Sequence, residues 1–152
     1  MLFAYRLLTV IVQGDRGSKK YICNKTHIFT HIIELLQEYS ESNLKEEIDL
    51  AILGFLLSIV RDDQDSKREL GEHILPFMID KMEKAAGGRV GSERYETKFF
   101  KLMNVLTKNC NENLGVVFAI KGTIEAYKKI SSSSKLKKKI ITIWNRLKES
   151  DI

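Results

Sequence analysis

The chain has 152 residues, 43% hydrophobic and 30% charged, which suits one soluble domain with its own core and excludes a wholly disordered chain. Its two cysteines, Cys23 and Cys110, are too few for a disulfide framework or a zinc site, so we expect reduced thiols in the cytoplasm or nucleus. The net charge of +5 lies at one end, because residues 118–152 carry about +6 and the preceding residues about −1.

The first apolar stretch, MLFAYRLLTVIVQ, predicts an amphipathic helix. A signal peptide would carry its positive charge before the apolar run, whereas Arg6 lies inside this one, and no small-residue cleavage site follows. The stretch is also too short to span a bilayer. Because the whole chain contains a single proline, Pro76, and shows little strand-like alternation, the sequence favours helices throughout.

Three stretches of similar build recur along the chain and indicate an internal repeat. They are TVIVQGDRGSKKYI at 9–22, LSIVRDDQDSKREL at 57–70 and NVLTKNCNENLGVV at 104–117, which begin 48 and 47 residues apart. In each stretch an apolar helix end leads into a polar corner. A short helix then starts near Ser18, Ser66 or Asn113, because small polar side chains satisfy free backbone N–H groups at such corners.

A medium helix and then a long helix follow each corner. The medium helices are predicted in HIFTHIIELLQEYS, HILPFMIDKMEK and TIEAYKKIS, with Pro76 in the first turns of the second one. The long helices are predicted at 43–60, 91–107 and 135–149, each with an apolar stripe at helical spacing. Since such a unit cannot bury its apolar faces alone, neighbouring units must stack, which predicts an all-α fold with 1–152 as one domain.

Residues 106–130, LTKNCNENLGVVFAIKGTIEAYKKI, resemble the armadillo repeat family in their order of long-helix end, Asn-rich corner, short helix, glycine and medium helix. Gly122 stands at the glycine between the first two helices, and Gly71 stands at the similar place after VRDDQDSKREL. The resemblance implies a right-handed superhelical stack of about three armadillo-like repeats, with HEAT-type helical pairs as the alternative. It also implies a protein–protein interaction scaffold whose long helices line a concave face.

The chain departs from the peptide-binding members of that family on its long helices. Where those members place a recurring Asn, this chain has Val10, Ser58 and Val105. Where they place a Trp one turn earlier, it has Arg6, Gly54 and Lys101. These departures argue against the family's extended-peptide binding mode, including recognition of nuclear-import signals, but not against the fold.

The ends of the pattern predict a fragment or terminal domain of a larger protein. The chain opens directly in a long-helix pattern, and neither end shows the polar outer face of a terminal repeat. Large armadillo scaffolds of centrioles and cilia, of the rotatin type, contain similarly degenerate repeats, which suggests a cytoskeletal or centriolar association. We expect no membrane span, and a monomeric state is compatible with the pattern.

No pattern in the sequence predicts catalysis, a cofactor or a metal ion. His27 and His31 are spaced for one helix face but have no third ligand, so a solvated or packed pair is favoured over a metal site. Asp62, Asp63 and Asp65 open like a calcium loop but lack its glycine and bidentate glutamate, which favours a helix corner.

A run of lysines is the strongest candidate for a binding surface. Six lysines stand within residues 128–139 without one acid: Lys128, Lys129, Lys135, Lys137, Lys138 and Lys139. The run predicts contact with an acidic surface of a partner protein, and the alternatives are a nucleic acid, an anionic surface or a merely solvated end. Further candidates are the positions expected to be exposed on the concave face: Lys45, Asp49, Arg94, Lys98 and Lys101.

Overall fold

A computed structural model describes Thr9 and residues 28–37, 43–61, 63–85, 88–130 and 134–149. Every regular element within these ranges is a helix, and they contain no strand. In chain order the helices are α1 (Ile28–Gln37), α2 (Asn43–Val60), α3 (Gln64–Ala85), α4 (Glu93–Thr107), α5 (Asn111–Phe118), α6 (Lys121–Ile130) and α7 (Ser134–Glu149). The prediction of an all-α fold is therefore confirmed for the described part of the chain.

The helices form two layers. The long helices α2, α4 and α7 lie side by side in one layer, and α4 packs against both of the others. In the second layer α3 packs between α1 and α5, while α6 packs on α7. Helix α3 also contacts α2 and α4, and α5 also contacts α4 and α7, so the second layer covers the first. Within each layer, helices that are near in sequence are therefore neighbours in space.

The apolar stripes of the long helices form the core between the layers. Their fully buried members include Ile52, Phe55, Leu56 and Ile59 of α2, Phe99, Leu102, Met103 and Leu106 of α4, and Ile140, Ile143 and Leu147 of α7. Each set repeats at intervals of three and four residues, so one face of each helix is removed from water. The register predicted for the three long helices is confirmed.

The second repeat unit differs from the prediction, because a single helix follows its corner. Asp63 starts this helix, since its Oδ1 accepts hydrogen bonds from the backbone N–H groups of Asp65 and Ser66 at 3.1 and 3.3 Å. The helix-corner interpretation of the aspartates therefore holds at Asp63, whereas Asp62 lies outside the described residues. From Gln64 the chain stays helical to Ala85, so the predicted short and medium helices are one element, α3.

Gly71 lies inside α3, and its role is a close approach to α5 rather than a break between two helices. A Cβ at this position would lie 2.6 Å from Nδ2 of Asn113 and closer still to its Oδ1. Asn113, which is only 2% exposed, occupies that space and donates from Nδ2 to the carbonyl oxygens of Lys67 and Leu106 at 2.9 and 2.8 Å. The glycine thus lets the amide reach the backbone of α3.

Pro76 lies in the middle of α3, not in the first turns of a separate helix as predicted. A proline there removes the hydrogen bond to the carbonyl four residues earlier, which belongs to Glu72. Pro76 and Glu72 are both exposed, so the carbonyl without a helical partner lies on the solvent side, where water can bind it. The helix therefore continues through the proline on its outer face.

The corner after α4 confirms the predicted Asn-rich turn. Asn109 adopts a φ of 55°, a left-handed conformation that asparagine tolerates better than most residues. The last carbonyl groups of a helix have no partner within it. The carbonyls of the turn that follows need partners as well, and side chains of α3 supply them: Lys67 Nζ donates to the carbonyl of Lys108 at 3.0 Å and Gln64 Nε2 donates to that of Asn109. Helix α5 then starts as predicted.

The remaining predicted elements fall partly outside the described residues. The medium helices of the first and third units correspond to α1 and α6, and the long helix predicted at 135–149 corresponds to α7. The first corner, with Ser18 and the glycines around it, lies outside the described residues, as do Arg6 and Val10. Only Thr9 of that first stretch is described.

Candidate functional site

A groove runs across the layer of long helices and is made of two adjoining pockets. The α4–α7 pocket has a volume of about 500 Å³ and is lined by Leu50, Glu93, Arg94, Thr97, Lys98, Lys101, Lys135 and Lys139. The α2–α4 pocket has a volume of about 380 Å³ and is lined by Thr9, Glu47, Leu50, Ala51, Gly54, Arg94 and Lys98. Leu50, Arg94 and Lys98 line both pockets, so the two lie next to each other.

Helical spacing explains why these side chains line one surface. Arg94, Lys98 and Lys101 follow one another on α4 at intervals of four and three residues, which places them on the same face. Lys135 and Lys139 of α7 are likewise four residues apart. The opposite faces of both helices are buried in the core, so these basic side chains point away from it.

The cations of the α2–α4 pocket have partners within the protein. Arg94 Nη1 lies 3.0 Å from Oε1 of Glu47, which pairs α4 with α2. Lys98 Nζ donates to the carbonyl oxygen of Leu50 at 3.2 Å. A side chain at position 54 would extend towards Lys98, because a Cβ on Gly54 would lie 3.5 Å from Nζ. Both cations that line this half of the groove thus have a partner within the protein, and its lining residues carry one net positive charge.

The α4–α7 pocket, in contrast, contains three lysines without an anionic partner. Lys101, Lys135 and Lys139, which we call the lysine triad, form no ion pair with any described residue. Partial burial lowers the pKa of the Lys139 ammonium, and repulsion from Lys135 and Lys101 lowers it further. The three charges are therefore close enough to repel one another, and an anion in the pocket would relieve that repulsion.

Two residues predicted to be exposed on this face have structural roles instead. Asp49 is only 8% exposed, and its Oδ1 lies 2.7 Å from Nζ of Lys45. Lys45 Nζ also donates to the carbonyl oxygen of Leu35, which ties α2 to α1. Burial raises the pKa of Asp49, although the hydrogen bond from Lys45 opposes this rise. The prediction that Asp49 is exposed is wrong, because its side chain packs between helices with a cation of its own.

The lysines that are consecutive in the sequence do not form one patch. Lys137 and Lys138 are exposed on α7, but neither of them lines the α4–α7 pocket. Lys128 of α6 lies over the ring of Trp144, with Nζ 5.0 Å from the centroid, and Lys129 is exposed in the last turn of that helix. Of the six lysines in the run, only Lys135 and Lys139 line the α4–α7 pocket, together with Lys101 of α4.

Three residues that line the α4–α7 pocket were missed by the sequence analysis: Leu50, Glu93 and Thr97. Leu50 supplies an apolar surface to both pockets, and the Thr97 hydroxyl donates to the carbonyl of Glu93 at 2.8 Å. Glu93 and Thr97 precede Lys101 on α4 by two turns and one turn, so the helical period was the available signal. Leu50 could not be predicted, because the packing of α2 against α4 decides which apolar residue of α2 lies at the groove.

The groove shows no sign of a metal centre. Within the described ranges no three His, Cys, Asp or Glu side chains are close enough to hold a metal ion. His31 is exposed, whereas His27 lies outside those ranges. Cys110 is buried as a free thiol, and Cys23 is not described. No described helix is both long and apolar enough to cross a membrane.

Comparisons of the chain with protein-family models, with curated proteins and with solved structures find no match.

Proposed function

We propose that this protein is a non-catalytic protein-interaction module of the armadillo-like helical-repeat type, which binds an acidic segment of a partner protein in the groove. The observation that carries the proposal is the lysine triad of the α4–α7 pocket, which has no anion among the described residues. The pairing of Arg94 with Glu47 directs an acidic segment to that pocket, because the neighbouring half of the groove has satisfied its own charges.

The proposed binding mode differs from that of the peptide-binding armadillo proteins, which use recurring Asn and Trp residues on their long helices. Lys101 stands at a position where that pattern has a Trp, and it lines the pocket. Gly54 stands at another such position, and the neighbouring Lys98 fills the space beside it. Recognition through charge, with Leu50 providing apolar contact, therefore replaces recognition through a row of aromatic rings.

A nucleic acid is the alternative partner for a basic groove. Nucleic-acid grooves combine a basic strip with aromatic side chains on which bases stack. None of the residues that line the two described pockets is aromatic, and Glu47 and Glu93 interrupt the positive charge. The lining residues therefore favour an acidic protein segment.

The test uses two double variants of α7 that change the net charge by the same amount. Lys135→Glu with Lys139→Glu reverses two charges that line the pocket, whereas Lys137→Glu with Lys138→Glu reverses two exposed charges of the same helix that do not line it. The probe is a fluorescein-labelled octaglutamate peptide, and its binding is measured by fluorescence anisotropy at physiological salt. We expect the first pair to weaken binding by at least about tenfold, which corresponds to 1.4 kcal/mol.

The control pair should change the affinity by less than about threefold, because exposed charges away from the contact act mainly through long-range steering, which salt screens. Equal weakening by both pairs would show that the peptide senses only net charge and would contradict the groove. Absence of any binding to the wild-type protein would contradict the proposal itself. If a short DNA duplex binds more tightly than the peptide and displaces it, the protein is a nucleic-acid module.

A further inference from the structure

We infer that the α4–α7 pocket receives a phosphorylated side chain of the partner segment; this inference rests on the proposed function and names the chemistry that the pocket selects. Three ammonium groups converge there from two helices, and one dianion can neutralise most of their charge. A phosphoserine carries a charge of about −1.5 to −2 at neutral pH and three strong acceptor oxygens, about one for each lysine.

The position of Lys135 strengthens the attraction for an anion. Helix α7 begins at Ser134, so Lys135 lies in its first turn. The first N–H groups of a helix have no partner within the helix and give this end a partial positive charge, which favours phosphate. No acidic side chain stands in the first turn of α7, in contrast to α4, whose first turn contains Glu93 and Glu96. The partial charge expected at this end of α7 therefore has the same sign as the lysine triad, of which Lys135 is a member.

The volume of the pocket is large enough for a phosphorylated side chain. Its volume of about 500 Å³ exceeds what one phosphate group needs, which leaves room for the carbon atoms that attach the phosphate to a peptide. Leu50 contributes an apolar wall, and Lys139 is itself half-buried. A phosphate inside would lose part of its hydration but would gain charge-assisted hydrogen bonds, which are about twice as strong as neutral ones.

A single carboxylate satisfies the pocket less well than a phosphate. Glutamate carries one negative charge on a planar group, so two of the three ammonium charges would remain unneutralised. Repulsion among Lys101, Lys135 and Lys139, which already lowers the pKa of Lys139, would then persist in part. We therefore expect the pocket to prefer phosphoserine to glutamate at the same position of a peptide.

The charge pattern around the pocket also separates a phosphopeptide from a nucleic acid. A nucleic-acid backbone presents a phosphate at every nucleotide and needs a continuous basic strip. Glu93 lines this pocket and Glu47 lines the next one, so the unpaired positive charge is confined to the lysine triad. One phosphate fits this arrangement, whereas a row of phosphates would meet the two carboxylates.

The experiment compares three decapeptides of glycine and serine that differ only at the fifth residue: phosphoserine, glutamate or serine. Binding to the full chain is followed by chemical-shift changes in ¹H–¹⁵N spectra, which detect weak complexes. We expect the phosphoserine peptide to bind at least about tenfold more tightly than the glutamate peptide. Lys135→Glu with Lys139→Glu should abolish this preference, whereas Lys137→Glu with Lys138→Glu should retain it.

The outcomes separate this inference from the function on which it rests. If the phosphoserine and glutamate peptides bind equally while octaglutamate still binds in the groove, the phosphate inference is overturned and the acidic-segment function stands. If neither octaglutamate nor any of the three peptides binds, both are overturned. A preference for phosphoserine that survives the pocket variant places the phosphate elsewhere and also overturns the inference. Tighter binding of a short DNA duplex to the same lysines would assign the pocket to a nucleic acid.

Discussion

Replacing Gly71 with alanine should destabilise the protein, whereas the same replacement in a chain that already carries Asn113→Ala should stabilise it. The reversal follows from the contact between α3 and α5. A Cβ at position 71 would overlap the amide of Asn113, so the amide must leave its place against α3. Asn113→Ala removes the three atoms that would lie nearest to this Cβ, so we expect a methyl group to be accepted at position 71 in that background.

The size of the effect follows from the hydrogen bonds of Asn113. Alanine gains about 1 kcal/mol over glycine in a helix interior. Displacing the amide loses two hydrogen bonds, to Lys67 and Leu106, each with a net value of about 1 kcal/mol, and leaves polar groups without partners in a buried place. Gly71→Ala should thus cost about 1–2 kcal/mol in the wild-type chain and contribute about 1 kcal/mol in the Asn113→Ala chain. The coupling energy between the two positions is then about 2–3 kcal/mol.

The measurement is a double-mutant cycle of urea unfolding, followed by the helical circular dichroism signal. The four proteins are the wild type, the two single variants and the double variant. Equal dependence of the unfolding free energy on urea concentration is the control, because it shows that all four expose similar surface on unfolding. If Gly71→Ala destabilises both backgrounds by the same amount, the two positions are independent, and the close approach of Asn113 to α3 is not what requires the glycine.

Two further substitutions test the core and its buried charge. Phe99→Asp should unfold or aggregate the protein, because it places a charge at a fully buried position of α4; a melting temperature equal to that of the wild type would show that the register of the long helices is wrong. Glu96 is only 2% exposed, and burial raises its pKa from the ordinary 4.5 despite the opposing charge of Arg89. Since the buried carboxylate favours its protonated form, wild-type stability should fall as the pH rises from about 4.5 through the raised pKa of the folded state. Glu96→Gln should therefore raise the melting temperature at pH 7, with the gain fading below pH 4.5; an unchanged gain at pH 4 would contradict this reasoning.

The long helices could be predicted from the sequence, whereas the helices between them could be predicted only in part. Apolar residues at helical spacing located the helix at 43–60 to the residue and the other two within two residues of their ends. The same pattern could not show that α3 is continuous. The resemblance to armadillo repeats predicts that Gly71 separates a short helix from a medium helix. In the structure a glycine is required there because the side chain of Asn113, on another helix, occupies the space of a Cβ. A local pattern contains no information on such a contact.

The sequence predicted that the binding surface is basic, but it did not predict which basic residues lie together. The run of lysines is visible in the sequence, yet only Lys135 and Lys139 of that run line the groove. Their third partner, Lys101, belongs to α4, and its nearness depends on the packing of α4 against α7. Asp49 was expected to be exposed because charged residues seldom pack inside, but its pairing with Lys45 permits burial. The packing of the helices decides both the position of Lys101 beside the two lysines of α7 and the burial of Asp49.

The contact between Gly71 and Asn113 restricts the order in which this protein can change during evolution. While asparagine stays at position 113, every residue other than glycine at position 71 carries a Cβ into its amide. A smaller residue at position 113 removes that obstacle, and position 71 then becomes free to vary. Homologous chains should accordingly show the two positions changing together, with the substitution on α5 preceding the one on α3. The residue at position 113 of α5 thus limits which residues position 71 of α3 can accept.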